Sequence, residues 1–205
     1  MAAPCAAQMF IEPAIGYQID LNNKQHSLNQ INSSVQLSFK KGNWYEFILL
    51  LQKGWPVASS SNDSSFSLNP SLPAYANAQK KISPSAVSFS IGNRFIVAGI
   101  RSKDKLSILF NAGIMYQKIK VSYQYDKGNY TILNPDQTQK VTGIFVSGGL
   151  EYMRLLKTGR LFFQATVASP PSGKTPPYSS FNFIAPLSFN AGYSILVKKQ
   201  RHEKK

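Results

Sequence analysis

The sequence has no apolar run of the 18 or more residues needed to cross a bilayer as a helix, and no long stretch with apolar residues at helical spacing. Helical membrane proteins and helix bundles are both excluded on that basis. Cysteine occurs once, as Cys5, so no disulfide framework within the chain holds the fold. Charged residues are sparse at 16%, and acids are scarcest of all, with 9 Asp and Glu against 23 Lys and Arg. The two histidines, His26 and His202, stand far apart. A metal centre gathers His, Cys or carboxylates at ligand spacing, and here these residues are scattered. His26 has Asp20 and Ser27 nearby in sequence, but serine is abundant in the surrounding segments, so the trio identifies no nucleophile. Zinc-ligand spacings, a phosphate-binding glycine loop and nucleic-acid motifs are likewise missing. No catalytic, metal or cofactor-binding residue is assigned, and the expectation is a protein that is not an enzyme.

What the chain does have is alternation. In Phe183–Val197 the odd positions Phe183, Ala185, Leu187, Phe189, Ala191, Tyr193, Ile195 and Val197 are all apolar, while Ser188, Asn190, Gly192 and Ser194 fall between them. A period of two marks a strand with one apolar and one polar face. Seven further segments repeat the pattern: Met9–Leu21, Ser33–Lys40, Trp44–Trp55, Ala86–Ser102, Lys105–Tyr125, Lys140–Leu156 and Arg160–Ala168. Within the fourth, Asn93 falls on the apolar face, which suggests a bulge beside Gly92. In the fifth, the apolar phase flips after Lys118 to Ile119, Val121, Tyr123 and Tyr125, by a bulge or because the strand has left the membrane.

The connections alternate in length. Asn22–Asn32, Val57–Ser85, Asp126–Gln139 and Ser169–Asn182 are long, and Val57–Ser85 reads as a loop rich in Ser, Asn and Pro. The turns at Gly42, Asp104 and Gly159 are tight. This is the arrangement of a transmembrane β-barrel, with short turns at the periplasmic end and long loops outside. The expected fold is all-β, an eight-stranded antiparallel up-and-down transmembrane β-barrel spanning residues 9–199. Residues 1–8 read as a signal-peptide remnant or leader, and 200–205 as a basic periplasmic tail. Closure follows from the solvent, because lipid offers no partner for the backbone groups of an open sheet edge. Tyr17, Tyr45, Trp55, Tyr116, Tyr152 and Tyr193 are candidates for the interfacial girdles.

In this pattern the chain resembles the small eight-stranded outer-membrane β-barrel family typified by OmpA, OmpX, OmpW and the PorT-like barrels. The segment Asn190-Ala-Gly-Tyr-Ser-Ile-Leu-Val197 is similar to that family's closing-strand signal, and the resemblance assigns Asn190, Gly192, Tyr193, Ile195 and Val197 to recognition by the barrel-assembly machinery. Family members usually end on an aromatic residue, whereas here Lys198 and a basic tail follow. The resemblance implies an outer-membrane location with long loops extracellular and both termini periplasmic.

Two charge constellations follow from the phase of the strands. Glu12, Glu46, Arg94 and Glu151 lie on the inner, polar phase, with Lys40 and Lys198 at its rim. Opposite charges inside a narrow barrel pair and plug it; the functional alternative is a selectivity ring. The net charge of +14 is lopsided, with more than half of the 23 cations at the short-turn end, among them Lys41, Arg101, Lys103, Lys105, Lys157, Arg160, Lys199 and Arg201. Such a rim suits anionic headgroups, an acidic protein partner, or solvation alone. Nucleic acid fits poorly, since these residues flank lipid-type strands. Three roles remain: a structural or interaction barrel, an accessory subunit of a larger outer-membrane complex, and a small-solute or ion channel.

Overall fold

The computed structural model describes residues 8–20, 29–40, 42–57, 59–133, 137–169 and 186–199. Most of the leader, most of the first and last long loops, Lys41 and the tail from 200 onward lie outside these residues. The described residues form ten strands: β1 (Gln8–Asp20), β2 (Gln30–Lys40), β3 (Tyr45–Pro56), β4 (Ser59–Ser67), β5 (Tyr75–Ala98), β6 (Asp104–Gln124), β7 (Tyr130–Thr131), β8 (Gln137–Leu155), β9 (Gly159–Ala168) and β10 (Pro186–Lys199). Eight of them close a ring in the order β1–β2–β3–β5–β6–β8–β9–β10, each antiparallel to its neighbours. β10 returns to pair with β1 from Gln8↔Lys199 to Asp20↔Pro186 and seals the sheet. The fold is the all-β, up-and-down barrel that the alternation implied.

The side chains are distributed in the opposite sense to a water-soluble barrel. Phe89, Ile91, Phe110, Ile114, Ile144 and Val146 point outward and are 49–62% exposed, whereas Glu12, Glu46, Arg94 and Glu151 point inward and are fully buried. A soluble monomer rarely exposes a contiguous apolar surface of more than a few hundred Å². Aromatic side chains bound this belt. Near the short turns, Tyr45 donates to Asn93 Oδ1 at 2.6 Å, Tyr152 donates to Asp104 Oδ1 at 2.6 Å, and the Tyr193 hydroxyl lies 2.7 Å from Thr158 Oγ1. At the other edge, Trp55 Nε1 donates to Ser33 Oγ at 3.1 Å, and Lys53 Nζ lies 3.7 Å over the Trp55 ring. Tyr45 and Trp55 are separated by about ten residues of β3; at roughly 3.3 Å per residue and a tilt of about 40°, the belt is about 25 Å tall, a bilayer's dimension.

The segment Val57–Ser85 is not a loop. β4 pairs with the upper half of β5 from Ser59↔Ile82 to Phe66↔Tyr75, and β7 adds two residues to the end of β4. Serine and asparagine depress strand propensity, which is why the segment looked irregular, but the long β5 supplies a ladder on which they pair. β5, β6 and the start of β8 therefore rise beyond the belt as a small sheet. Here the apolar phase moves to the inside: Ile82, Ile119, Val121 and Val141 are buried. The register of β6 against both neighbours is continuous through Lys118, so the flip reflects a change of solvent from lipid to water and no bulge occurs there.

Two local expectations are corrected. The register is regular at Gly92 and breaks instead between Ile96 and Ala98; Asn93 stays on the outer face because Tyr45 satisfies it. The fourth expected strand also ends at Ala98 instead of Ser102, since Gly99 takes a left-handed φ of 71° and turns the chain back toward β6.

Candidate functional site

The inner phase of five strands converges on a layer of charge near the short-turn end. Arg94 on β5 is its hub. Its Nη1 donates to Glu46 Oε2 at 2.5 Å, and its Nη2 donates to Glu12 Oε2 at 2.9 Å and to Glu151 Oε2 at 2.8 Å. Its Nε lies 2.7 Å from Glu151 Oε1. A second guanidinium, Arg160 on β9, enters from the opposite wall. Its Nη1 donates to Glu46 Oε1 at 2.6 Å and its Nη2 to Glu12 Oε1 at 2.6 Å. Arg160 is fixed further by Ser38 Oγ and Ser194 Oγ, both at 3.0 Å, and by the Phe10 ring 3.6 Å from its Cζ. Glu12 and Glu46 are thus each shared between two guanidiniums, while Glu151 leans on Arg94 alone and on Gln164, whose Nε2 donates at 2.7 Å. Gln36 Nε2 completes the shell of Glu12.

This geometry is what low dielectric demands. An unpaired charge in so dry a place costs several kcal/mol, so the planar fork of arginine is used to satisfy carboxylates two oxygens at a time. The layer spans the lumen, with Ile48, Leu109, Met153 and Phe162 buried about it. Toward the long loops lies a crevice with room for only about 40 Å³, lined largely by amides and hydroxyls such as Gln18, Gln30, Asn32, Gln52, Asn111 and Asn190. Three of these amides are admitted by glycine on the neighbouring strand. A Cβ at Gly16 would meet Asn190 Oδ1, one at Gly54 would meet Gln30 Oε1, and one at Gly92 would meet Asn111 Oδ1. Among the described residues no set of three His, Cys or carboxylate side chains could hold a metal ion.

Of the residues assigned to the lumen, Glu12, Glu46, Arg94 and Glu151 come together. Lys40 sits at the mouth outside the layer, and the side chain of Lys198 lies outside the described residues. Arg160 and Lys105, expected at the solvated rim, instead point inward and are buried, at 4% and 6% exposure. Their neighbours Leu161 and Leu106 face outward, so strand phase alone carried that signal; placing them by nearness to a turn obscured it. Arg101, Lys103 and Lys157 are exposed, while Lys41, Arg201 and the side chain of Lys199 lie outside the described residues.

The closing-strand residues have structural work of their own. Asn190 fills the space left by Gly16 across the β1–β10 seam, and the absent Cβ of Gly192 leaves room for the Phe162 ring and the Pro13 carbonyl. Tyr193 lies over Gly159, while Ile195 and Val197 face outward and are both 49% exposed. The ladder between β1 and β10 omits Glu12 and Pro13, because proline has no N–H to give it.

No protein-family model matches the chain, and no curated protein is detectably similar in sequence. Its fold does match solved structures. A major outer membrane protein from Thermus thermophilus aligns over 93% of this chain and 99% of its own at 12% identity, with a TM-score of 0.53. Ail, the attachment invasion locus protein of Yersinia pestis, aligns over 94% of this chain and 100% of its own at 13% identity and a TM-score of 0.49. Neisserial surface protein A aligns over 92% of this chain and 96% of its own at 10% identity and a TM-score of 0.46.

Proposed function

We propose that this chain, which has the fold of the small outer-membrane β-barrels, is an integral outer-membrane protein with a closed lumen and a structural or interaction role. The observation that carries the reading is the combination of an apolar exterior about 25 Å tall with a fully buried Arg–Glu layer across the interior. The exterior matches lipid, and the full burial of Glu12, Glu46, Arg94 and Glu151 in the interior favours a plug over a channel. In this reading the long loops are extracellular and both termini periplasmic. The interaction surface is the sheet of β4, β5 and β6 above the belt, and an accessory role in a larger outer-membrane complex works through that sheet or the basic rim. Asn190, Gly192, Tyr193, Ile195 and Val197 serve the barrel-assembly machinery during insertion.

The test is conductance together with folding in lipid. Refolded protein is expected to show the heat-dependent electrophoretic shift of a membrane barrel and no stable channel steps in a planar bilayer. Replacing both Arg94 and Arg160 with alanine opens the layer and is expected to produce steps wherever the variant still inserts. Steady, ion-selective conductance of the unaltered protein would favour the channel reading and sink this one.

A further inference from the structure

Below the charge layer the barrel ends in a cavity of about 280 Å³ whose wall is basic on one side and apolar on the other. Lys40, Lys105, Lys157 and Arg160 supply the basic side, and Phe10, Leu155, Leu156 and Leu196 the apolar one. Among the described residues no carboxylate lines it. Arg160 is already committed to Glu12 and Glu46, but Lys105 is not committed to anything. It is only 6% exposed, it borders the cavity, and its ammonium has no hydrogen-bond or ion-pair partner among the described residues. An ammonium on so buried a side chain, with no direct partner, is unfavourable, and Lys40 and Arg160 beside it add charge of the same sign. Glu46 of the acid layer offsets part of this from a distance, but both of its oxygens are already held by guanidiniums.

We propose that this mouth binds a phosphate group carried by an anionic lipid, with Lys105 at the base of the site and Lys40 and Lys157 at its lip. Ammoniums gathered at one opening suit a compact phosphate oxyanion, whose oxygens can accept from more than one of them. The apolar side selects the lipid-borne form. Leu156 and Leu196, which line the cavity, are 46% and 42% exposed, and Ile195 and Val197 on either side of Leu196 in the chain face outward, so apolar surface is offered to an acyl chain both in the cavity and at the lower edge of the belt. The cavity also lies at the end of that belt, at headgroup level. The inference rests on the membrane reading above and adds to it a ligand class and a site.

The experiment uses the full chain in mixed micelles holding equal amounts of phosphatidylglycerol and phosphatidylcholine, with retained lipid counted by native mass spectrometry. Phosphatidylglycerol is expected to be retained preferentially. Lys105→Met, which keeps the length of the side chain, is expected to weaken that retention about tenfold, while Lys127→Gln, exposed at the opposite end of the barrel, leaves it unchanged. Where Lys105→Met does not fold, Lys40→Gln combined with Lys157→Gln carries the same expectation. A second arm adds inorganic phosphate. Failure of millimolar phosphate to displace the lipid supports the lipid-borne ligand; displacement at equal affinity overturns it in favour of free phosphate. Equal retention of the two lipids, or equal losses in Lys127→Gln and Lys105→Met, overturns the site. Insertion, read separately from the heat-dependent shift, shows whether the membrane reading has failed instead.

Discussion

Arg94 is the residue whose removal tests the interior most directly. Its guanidinium contacts Glu12, Glu46 and Glu151, and all four side chains are fully buried. Arg94→Met keeps much of the volume but leaves Glu151 with only the Gln164 amide and forces Glu12 and Glu46 onto Arg160. Breaking a buried pair by removing one partner costs about 3–5 kcal/mol, because the remaining charge is stranded. The loss is expected to be concentrated at Glu151, since Arg160 still holds the other two carboxylates at 2.6 Å. Adding Glu151→Gln to Arg94→Met removes the stranded charge and is expected to recover about 1–3 kcal/mol, the usual size of coupling between residues in one network. The assay is equilibrium urea unfolding in lipid vesicles with a common slope for all variants. A single-variant loss below about 1 kcal/mol, or a double variant no more stable than Arg94→Met, would refute the claim that the layer is a tightly coupled unit.

Three further outcomes follow from the exterior and the seam. Ile91→Arg in the middle of the belt is expected to destabilise the barrel in lipid by about 2–4 kcal/mol, whereas an exposed isoleucine in a soluble protein tolerates arginine with little change; a near-zero effect would contradict a lipid-facing belt. Gly192→Val is expected to block closure of the β1–β10 seam, because any Cβ there meets the Phe162 ring and the Pro13 carbonyl. That shows as loss of the heat-dependent electrophoretic shift, with normal migration as the contrary result. Lys118 and Lys140 stand directly opposite each other on β6 and β8. Lys140→Glu turns this like-charge pair into an attractive one, worth about 0.2–1 kcal/mol at low salt and fading as salt is raised. Unfolding at two ionic strengths checks both the sign and the fading.

The barrel was legible because lipid imposes a severe rule: every second residue of a spanning strand must be apolar, and the sequence records it in each of the eight segments. The places where reading failed are those where that rule stops. Above the belt the solvent is water again, and β4, with its run Ser59-Ser-Ser-Asn-Asp-Ser-Ser65, has no apolar alternation to betray it. It is a strand only because β5 offers it a partner. Glu12, Glu46, Arg94 and Glu151 were recognisable as inward by phase, but phase says nothing of which strands face each other across the lumen.

By itself the sequence determined the class of fold, the number of ring strands, the apolar face of each and the end at which the short turns lie. These are local or periodic properties, fixed by the alternation of side chains and by the chain's turn chemistry. Only the tertiary structure decided that Arg160 crosses to Glu12 and Glu46, partners 148 and 114 residues away in the chain, and that Lys105 has no direct partner among the described residues. Closure of the ring brings β9 and β6 within reach of β1, β2 and β3, and the separation of opposite walls is a property of the closed sheet that no single strand encodes.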